Sequence, residues 1–429
     1  MRRLAIIAVV AFLVAGCGGG GGGKKSSSGG GTSNVKGSIR MVAVWTGAEQ
    51  DAFQAVLNGF KSKYPNVKVT YQAQKDPASF LSTAVAGGNP PDLAALPAPG
   101  IIKGFVDQGA LKPLDFAKST ISANYAEGWL KAGTFNGKLY ALFFKGANKS
   151  TVWYNVKAFK DAGVSAPKTW NDLQKDAKTL KASGVDAYSI GGSDGWTLTD
   201  LFENIYLRQA GPDKYDMLTQ HQIPWTDPSV KQALTTMAQV IGDTSNIPGG
   251  TSQALQTDFP TSVTQVFTSP PKAAMVFEGD FVAGVITSST KAKPKTDFDV
   301  FDFPQIGSSS TDAVLGGGDG VVMFKDTPAA RAVIKYLASP SAQEIWAKRG
   351  GYTAPNKNVN ASVYPDAITR AAAEGIAKSG FRFDMSDQMP AKFGSDQEFS
   401  DLQNFLKNPK NVNAAAAQLE SDATKAFKK

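Results

Sequence analysis

The sequence of 429 residues contains a single cysteine, Cys17, and a single histidine, His221. One cysteine excludes a disulfide bond within the chain, so the fold depends on packing for its stability. The scarcity of both residue types removes most ways of building a zinc or thiol site, and metal chemistry would have to rest on carboxylates alone. The sequence therefore predicts neither a bound metal nor a cofactor.

Charged residues are also few, at 19% of the chain, with a formal net charge of +8. Nucleic-acid-binding proteins gather lysine and arginine on one face, whereas the longest basic groupings here are pairs such as Lys24-Lys25 and Lys428-Lys429. Hydrophobic residues make up 42% of the sequence, and beyond the N-terminal segment no apolar run reaches the about 18 residues that cross a bilayer. The composition favours a globular protein that binds no nucleic acid.

The N-terminal segment is typical of an export signal. Met1-Arg2-Arg3 precedes an apolar run from Leu4 to Ala15, which is too short to span a membrane permanently. Leu13-Val14-Ala15-Gly16-Cys17 resembles the lipobox of bacterial lipoproteins, in which the chain is cut before a lipidated cysteine. The resemblance predicts a signal peptide over 1–16, a lipid anchor at Cys17 and an extracytoplasmic location on the outer face of the cell membrane. An ordinary signal peptide cut nearby is the alternative.

Beyond the signal, the composition changes from tether to folded protein. The Gly- and Ser-rich stretch 17–37 has too little apolar surface to fold and predicts a flexible tether. Ser38–Trp45 and Val67–Tyr71 are predicted strands. Thr46 and Glu49 have the spacing of a capping box and predict the helix between those strands. Continued alternation of strands and helices predicts an α/β fold with mostly parallel sheets covered on both faces.

Five motifs follow one another along the folded part of the chain. They are Trp45–Glu49, Gly87–Leu93, Val152–Asn155 with Pro167–Leu173, Lys272–Phe281, and Pro340–Trp346. Together they resemble the extracellular solute-binding proteins of carbohydrate ABC transporters, the broad group that contains maltose-binding protein. Each motif is weak alone, but their order and spacing over residues 38 to about 350 are specific.

The resemblance implies a two-lobed, periplasmic-binding-protein-like fold of type II with a hinge between the lobes. We expect residues 38–145 and 300–338 to form the N-terminal lobe, and residues 146–299 and 339–429 to form the C-terminal lobe. The resemblance also implies a monomeric receptor that captures a sugar, such as an oligosaccharide or an α-glucoside, between its closing lobes. That receptor delivers the sugar to the permease of an ABC importer and cleaves nothing.

Sugar recognition needs flat aromatic faces together with polar groups that bind hydroxyls. Both kinds of side chain occur at the ends of predicted elements, where open α/β folds place ligands. We predict as ligand-binding residues Trp45, Thr46, Glu49, Lys145, Asn148, Trp196, Glu278, Asp280, Phe281 and Asp319. Further candidates near the end of the chain are Asp384, Ser386 and Asp387.

These residues also have structural interpretations. Glu49 can cap its own helix, Trp45 can fill a core, and the glycines around Asp319 can serve a turn. Phe281 stands where relatives by resemblance often carry a stacking tryptophan, so its contact with the ligand stays open.

Two other functions stay open on the sequence alone. A secreted carbohydrate-active enzyme would use Glu278 and Asp280 as acid and base, with carboxyl groups about 5 to 9.5 Å apart across a sugar ring. Residues two apart at one turn seldom face each other in that way. A binding protein that serves a sensor would have the same sequence features as one that serves a transporter.

Overall fold

The computed structural model describes residues 34–74, 76–307, 313–378 and 381–428. The predicted signal peptide, Cys17 and the tether up to residue 33 lie outside these residues. The strands are β1 (Gly37–Ala43), β2 (Val67–Ala73), β3 (Leu93–Leu96), β4 (Thr134–Phe135), β5 (Lys138–Leu139), β6 (Ala141–Asn148), β7 (Thr151–Asn155), β8 (Asp186–Ser189), β9 (Ala273–Phe277), β10 (Phe298–Asp302), β11 (Val314–Met323) and β12 (Phe381–Phe383).

The α-helices occupy the segments between and after these strands. They are α1 (Gly47–Lys63), α2 (Pro77–Ala86), α3 (Pro99–Asp107), α4 (Asp115–Asn124), α5 (Glu127–Ala132), α6 (Val156–Ala162), α7 (Trp170–Ala182), α8 (Trp196–Thr219), α9 (Pro228–Ile241), α10 (Gly250–Ala254), α11 (Phe259–Phe267), α12 (Val282–Ser289), α13 (Pro328–Leu337), α14 (Pro340–Ala347), α15 (Ala367–Lys378), α16 (Met385–Gln388), α17 (Glu398–Lys407) and α18 (Val412–Phe427). Short 3₁₀ or π turns lie at Thr244–Asn246, Ala361–Val363 and Phe393–Gln397.

Local sequence signals placed several of these elements correctly. The strand predicted over Ser38–Trp45 is β1, and α1 begins directly after Thr46. The side chain of Thr327 accepts a hydrogen bond from the backbone N–H of Ala330, and Pro328 opens α13. A hydroxyl at the cap and a proline at the first helical position satisfy the open end of a helix, so this start is decided locally.

Two main sheets organise the molecule. The first has the order β12-β11-β3-β1-β2, with β6 also paired to β11. The second has the order β10-β7-β9-β8. In the first sheet β1 is parallel to β2 and β3, but β11 is antiparallel to β3 and β6. In the second sheet only β8 and β9 are parallel.

Because β11 is also parallel to β12, the first sheet is mostly parallel, as expected. The second sheet is mostly antiparallel, so the expectation was wrong for that sheet, and the α/β class is confirmed. A βαβ unit makes its two strands parallel. A strand such as β11, which joins the first sheet only after the chain has passed through the other lobe, can run in either direction.

Each sheet carries its own hydrophobic core. The first core gathers side chains from β1, α1, β3, β6, β11, α13 and α14. Alternate residues of β7 serve opposite faces of the second sheet, because Val152 packs into one cluster and Trp153 into another. Both faces of the second sheet are thus covered.

The chain crosses between the lobes at three places, which we call the hinge segments. They are Lys149-Ser150 between β6 and β7, the stretch between β10 and β11, and Asp384 after β12. The backbone N–H of Lys149 donates to the carbonyl of Leu315 at 2.8 Å, and that of Asp384 donates to Gly316 at 2.8 Å. The first and the last hinge segments are therefore both hydrogen-bonded to β11.

The placement of four elements differs from the expected lobe division. β12 was expected in the second lobe but pairs with β11 in the first sheet. β10, expected to return to the first lobe at residue 300, pairs with β7 in the second sheet. α14 was expected in the second lobe, but Trp346 is buried in the first core. α15 packs on β6 and β11 of the first sheet. An alternating or amphipathic pattern specifies a strand or helix but not its partner, which is why local reading misassigned these elements.

Candidate ligand-binding cleft

A cavity of about 1030 Å³ opens beside the hinge segments and is lined from both lobes. Its size is at the upper end of the about 300–1,000 Å³ typical of ligand pockets. From the first-lobe side it is lined by residues that include Thr46, Glu49, Asp51, Lys145, Asp319, Trp346 and Arg349. From the second-lobe side and the hinge it is lined by residues that include Lys149, Asp194, Trp196, Phe259, Phe281, Asp384, Ser386 and Asp387.

The first-lobe wall begins where β1 passes into α1. Thr46 occupies the cap position, but its side chain makes no capping hydrogen bond. Glu49 instead faces Lys145, whose Nζ lies 2.7 Å from the Glu49 carboxylate. The predicted capping box was therefore wrong in its bonding, because a cation from β6 offers Glu49 a stronger partner than a backbone amide.

Trp45 lies behind this wall and does not face the cavity. Its side chain is 0% exposed and packs against Phe53 and Trp346, with ring centroids 4.7 and 5.1 Å away. The indole N–H donates to Asp319 at 2.5 Å. The prediction that Trp45 contacts the ligand is not supported by this position. Trp45 instead holds Asp319, which does line the cavity.

Lys145 connects the two walls. Its Nζ lies 3.8 Å from the Asp319 carboxylate, and 5.4 Å from the centroid of the Phe281 ring in the second lobe. Burial lowers the pKa of Lys145, but the carboxylates of Glu49 and Asp319 outweigh this effect and raise it. Lys145 is therefore a charged group with its partners already in place.

The second-lobe wall is aromatic. The rings of Trp196, Phe259 and Phe281 lie 5.2 to 5.8 Å from one another, in tilted or edge-on arrangements. All three line the cavity and are only partly buried. Aromatic faces of this kind pack against the apolar C–H side of a ligand such as a sugar ring. Trp196, predicted from its Gly-rich loop, lies at the cavity, and its contact with a ligand stays a prediction.

Three of the predicted ligand-binding residues are buried behind the cavity instead of lining it. The amide group of Asn148 donates to the carbonyl of Ala372 at 3.1 Å, and its oxygen accepts from the backbone of Ser150. Asp280 accepts from the backbone N–H of Asn148 at 3.2 Å and from the hydroxyl of Thr353. Glu278 is 3% exposed. The side chains of Asn148 and Asp280 fix the loop beside the hinge, and Glu278 is buried, so direct ligand contact is not supported for these three residues.

A buried ionic cluster lies at the hinge, and the sequence analysis did not predict it as a cluster. Lys149 Nζ lies 2.9 Å from Asp200 and 2.5 Å from Asp384. Glu203, one turn after Asp200 on α8, accepts hydrogen bonds from the backbone of Met385 and Ser386 at 2.6 and 3.0 Å. Although burial raises the pKa of the Asp384 carboxyl group, Lys149 outweighs this effect and holds it below its usual range.

A sequence signal for this cluster does exist. Asp200, Glu203, Asn204 and Arg208 recur at helical spacing on one face of an otherwise apolar helix, α8. Such a polar stripe inside a buried helix requires partners, and here those partners come from the hinge segments.

Neither a metal site nor a membrane span is found in the described parts of the chain. Over those ranges, no group of three or more His, Cys, Asp or Glu side chains is arranged to hold a metal ion. None of the helices in the same ranges combines the length and apolar character needed to cross a membrane.

Known proteins are similar to this chain in sequence and in fold. A family model described as bacterial extracellular solute-binding protein matches residues 46–344. The alpha-glucosides-binding periplasmic protein AglE of Rhizobium meliloti is 32% identical over 89% of this chain and 86% of its own. The osmoprotective compounds-binding protein GgtB of Synechocystis is 31% identical over 86% of this chain and 88% of its own.

Among solved structures, the bacterial solute receptor AcbH superposes with a TM-score of 0.81 at 21% identity. The match covers 92% of this chain and 100% of that chain, and it confirms the two-lobed α/β fold. The relatives named here are binding proteins. With a family match that spans most of the folded chain and relatives above 30% identity, this protein belongs to the family of bacterial extracellular solute-binding proteins.

Proposed function

We propose that this protein is the substrate receptor of an ABC importer and captures a neutral carbohydrate in the cleft between its lobes. The observation that carries the proposal is the chemistry of the cleft: three aromatic rings line one wall, and carboxylates line the other. An α-glucoside or a related oligosaccharide fits this chemistry, because its ring has an apolar C–H face and its hydroxyls donate to carboxylates. The name of AglE, an alpha-glucosides-binding protein, supports the same class of solute.

Binding and lobe closure are coupled in this mechanism. Residues of both lobes line the cavity, so a sugar makes its full set of contacts only when the lobes are together. The ligand therefore shifts the population toward the closed form by its extra affinity for that form. We propose that the lobes divide at the hinge segments, with β1–β6, β11, β12, α13 and α14 in the first lobe and β7–β10 in the second.

No catalytic step is part of the proposal. Glu278 and Asp280, the pair that a glycosidase would use, are each 3% exposed and do not line the cavity. Their burial supports hinge roles over acid–base chemistry. We further propose that the receptor acts as a monomer, needs no metal or cofactor, and is held at the outer face of the membrane by a lipid on Cys17.

The test is a binding screen on the purified mature protein with maltose, trehalose and sucrose, followed by thermal shift and calorimetry. At least one sugar should raise the melting temperature, because a ligand bound only by the folded state stabilises it. Trp196→Ala should weaken that binding about tenfold, or about 1.4 kcal/mol, by removing an aromatic face from the cleft. Phe116→Ala on α4, outside the cleft lining, is the matched control and should bind normally.

The proposal fails if a screen extended to longer oligosaccharides finds no ligand, if Trp196→Ala binds as well as the parent protein, or if the protein hydrolyses the sugars. Loss of uptake of the labelled sugar in cells that lack the protein would distinguish an importer from a sensor.

A further inference from the structure

Asp387 is a carboxyl group of the cleft whose side chain accepts no hydrogen bond from the described residues. It follows the hinge residue Asp384 by three positions, and its backbone N–H donates to the Asp384 carboxylate at 3.1 Å. Its own side chain lines the cavity. In the described parts of the chain no donor is hydrogen-bonded to its carboxyl oxygens, so this group is available to a ligand.

The positively charged side chains of the cleft do not fully neutralise the Asp387 carboxyl group. Lys145 is engaged by Glu49 and Asp319, and Lys149 is engaged by Asp200 and Asp384. The remaining cation of the lining, Arg349, is exposed to water. Carboxyl groups therefore dominate the inner part of the cleft.

Negative charge is unfavourable at this point. Burial, followed by the charge of Asp384, raises the pKa of the Asp387 carboxyl group well above its usual range, and Lys149 offsets this only in part. Loss of water and repulsion from neighbouring carboxylates act equally on an anionic group of a ligand. The charged groups that face Asp387 are Asp384, Lys149, Asp200, Asp319 and Glu398.

We infer that Asp387 is a specificity-determining residue of the cleft. Its carboxyl group accepts a hydrogen bond from a hydroxyl of the bound sugar. Together with Asp319 on the first-lobe wall, it excludes sugars that carry a carboxylate in place of that hydroxyl. The inference rests on the proposed function and assigns its selectivity for neutral sugars to a named carboxyl group. A carboxylated sugar is excluded because its carboxylate displaces water from the cleft but offers no hydrogen-bond donor to the carboxyl groups of Asp387 and Asp319.

The test compares each sugar of the screen with its own 6-carboxylate, made by oxidation of the primary alcohol. The parent protein should bind the neutral sugar at least 100-fold more tightly than the carboxylate at pH 9. Asp387→Asn should reduce that ratio at least fivefold. The ratio of the parent protein should fall as the pH is lowered, because a raised pKa keeps the carboxyl group protonated to a higher pH than an ordinary aspartate, whereas the Asn variant should lose this pH-dependent part.

Asp107→Asn on α3 is the matched control, since Asp107 is an exposed aspartate outside the cavity lining. It should leave the ratio unchanged within twofold. The melting temperature of Asp387→Asn should be no lower than that of the parent protein, because the change removes an unfavourable charge. That of the control variant should stay close to the parent value. Equal binding of neutral and acidic sugars by the parent protein, or an unchanged ratio in Asp387→Asn, overturns the inference. If no neutral sugar binds, the proposed function fails and the inference fails with it.

Discussion

Replacing Lys149 with methionine should lower the free energy of unfolding by about 3–5 kcal/mol, because the change leaves two buried carboxyl groups without their cation. The side chain of Lys149 is 12% exposed, and those of Asp200 and Asp384 are 2% and 1% exposed. Urea denaturation at pH 7, followed by intrinsic fluorescence and circular dichroism, measures the loss as a shift of the midpoint.

The size of this effect follows from where the ion pair lies. Lys149 belongs to the first hinge segment and Asp384 to the last, so their contact ties two crossings of the chain together. The Asp384 carboxylate also accepts from the Ser386 hydroxyl at 2.6 Å and depends on Lys149 for its low pKa. Removing the Lys149 ammonium group raises the free-energy cost of burying the Asp384 carboxylate.

Lys157→Met is the matched control, because it breaks a lysine–aspartate contact on the surface. Lys157 and Asp161 are 76% and 57% exposed, so their contact should contribute less than about 1 kcal/mol. Adding Asp384→Asn to Lys149→Met should recover part of the lost stability by removing the unpaired charge. A loss from Lys149→Met no larger than that from Lys157→Met would contradict the assignment of a buried, stabilising pair.

The stability of the protein should fall as pH rises through about 6, and Asp280→Asn should remove about 3 kcal/mol of this fall. Burial raises the pKa of the Asp280 carboxyl group from 3.8 to about 6, despite hydrogen bonds from Thr353 and Asn148 and the charge of Lys145. One pKa unit corresponds to about 1.4 kcal/mol. The folded state therefore binds this proton more tightly than the unfolded state does.

The sign follows from proton linkage. Because the pKa is higher in the folded protein, the stabilisation is fully present below the unfolded value near 3.8 and is lost as pH rises through about 6. Asparagine does not titrate, so the variant lacks this contribution at every pH. Melting temperatures of the two proteins, measured in half-unit steps from pH 4 to 7.5, should show the steeper decline in the parent protein.

Thr353→Val offers a second variant at the same site. The Thr353 hydroxyl donates to Asp280 and lowers its pKa, so removing it should move the decline of stability toward higher pH. Other buried carboxyl groups, such as Glu203 and Glu278, titrate in both proteins and cancel in the comparison. Parallel stability curves for the parent protein and Asp280→Asn would show that this carboxyl group is not responsible.

Individual elements show which parts of the fold were accessible from sequence. β1, α1 and α13 were placed by apolar runs, helical spacing and cap residues, all of which act within a few positions of the chain. β10 lies in the second sheet, although residues from 300 onward were expected in the first lobe, because an alternating pattern says nothing about which neighbouring strand completes the sheet.

Only part of the candidate site could be predicted from the sequence. Thr46, Glu49, Lys145, Trp196, Phe281 and Asp319 line the cavity, as their positions at element ends suggested. Trp45, Asn148, Glu278 and Asp280 lie close by but are buried, because side-chain direction at a strand end depends on packing from the other elements. Asp200 and Glu203 were not predicted, because the polar stripe of α8 shows that partners are needed but not that they come from the distant hinge segments.

By itself, the sequence determined the α/β class, the starts of several helices and the group of proteins to which this chain is similar. These properties depend on interactions within a few residues or on motifs in fixed order. Only the tertiary structure decided which carboxyl groups share a cation and which remain open to a ligand. Lys149 and Asp384 are 235 positions apart in the chain. Their contact exists because three separate crossings of the chain pack at one hinge, and no local pattern encodes that meeting.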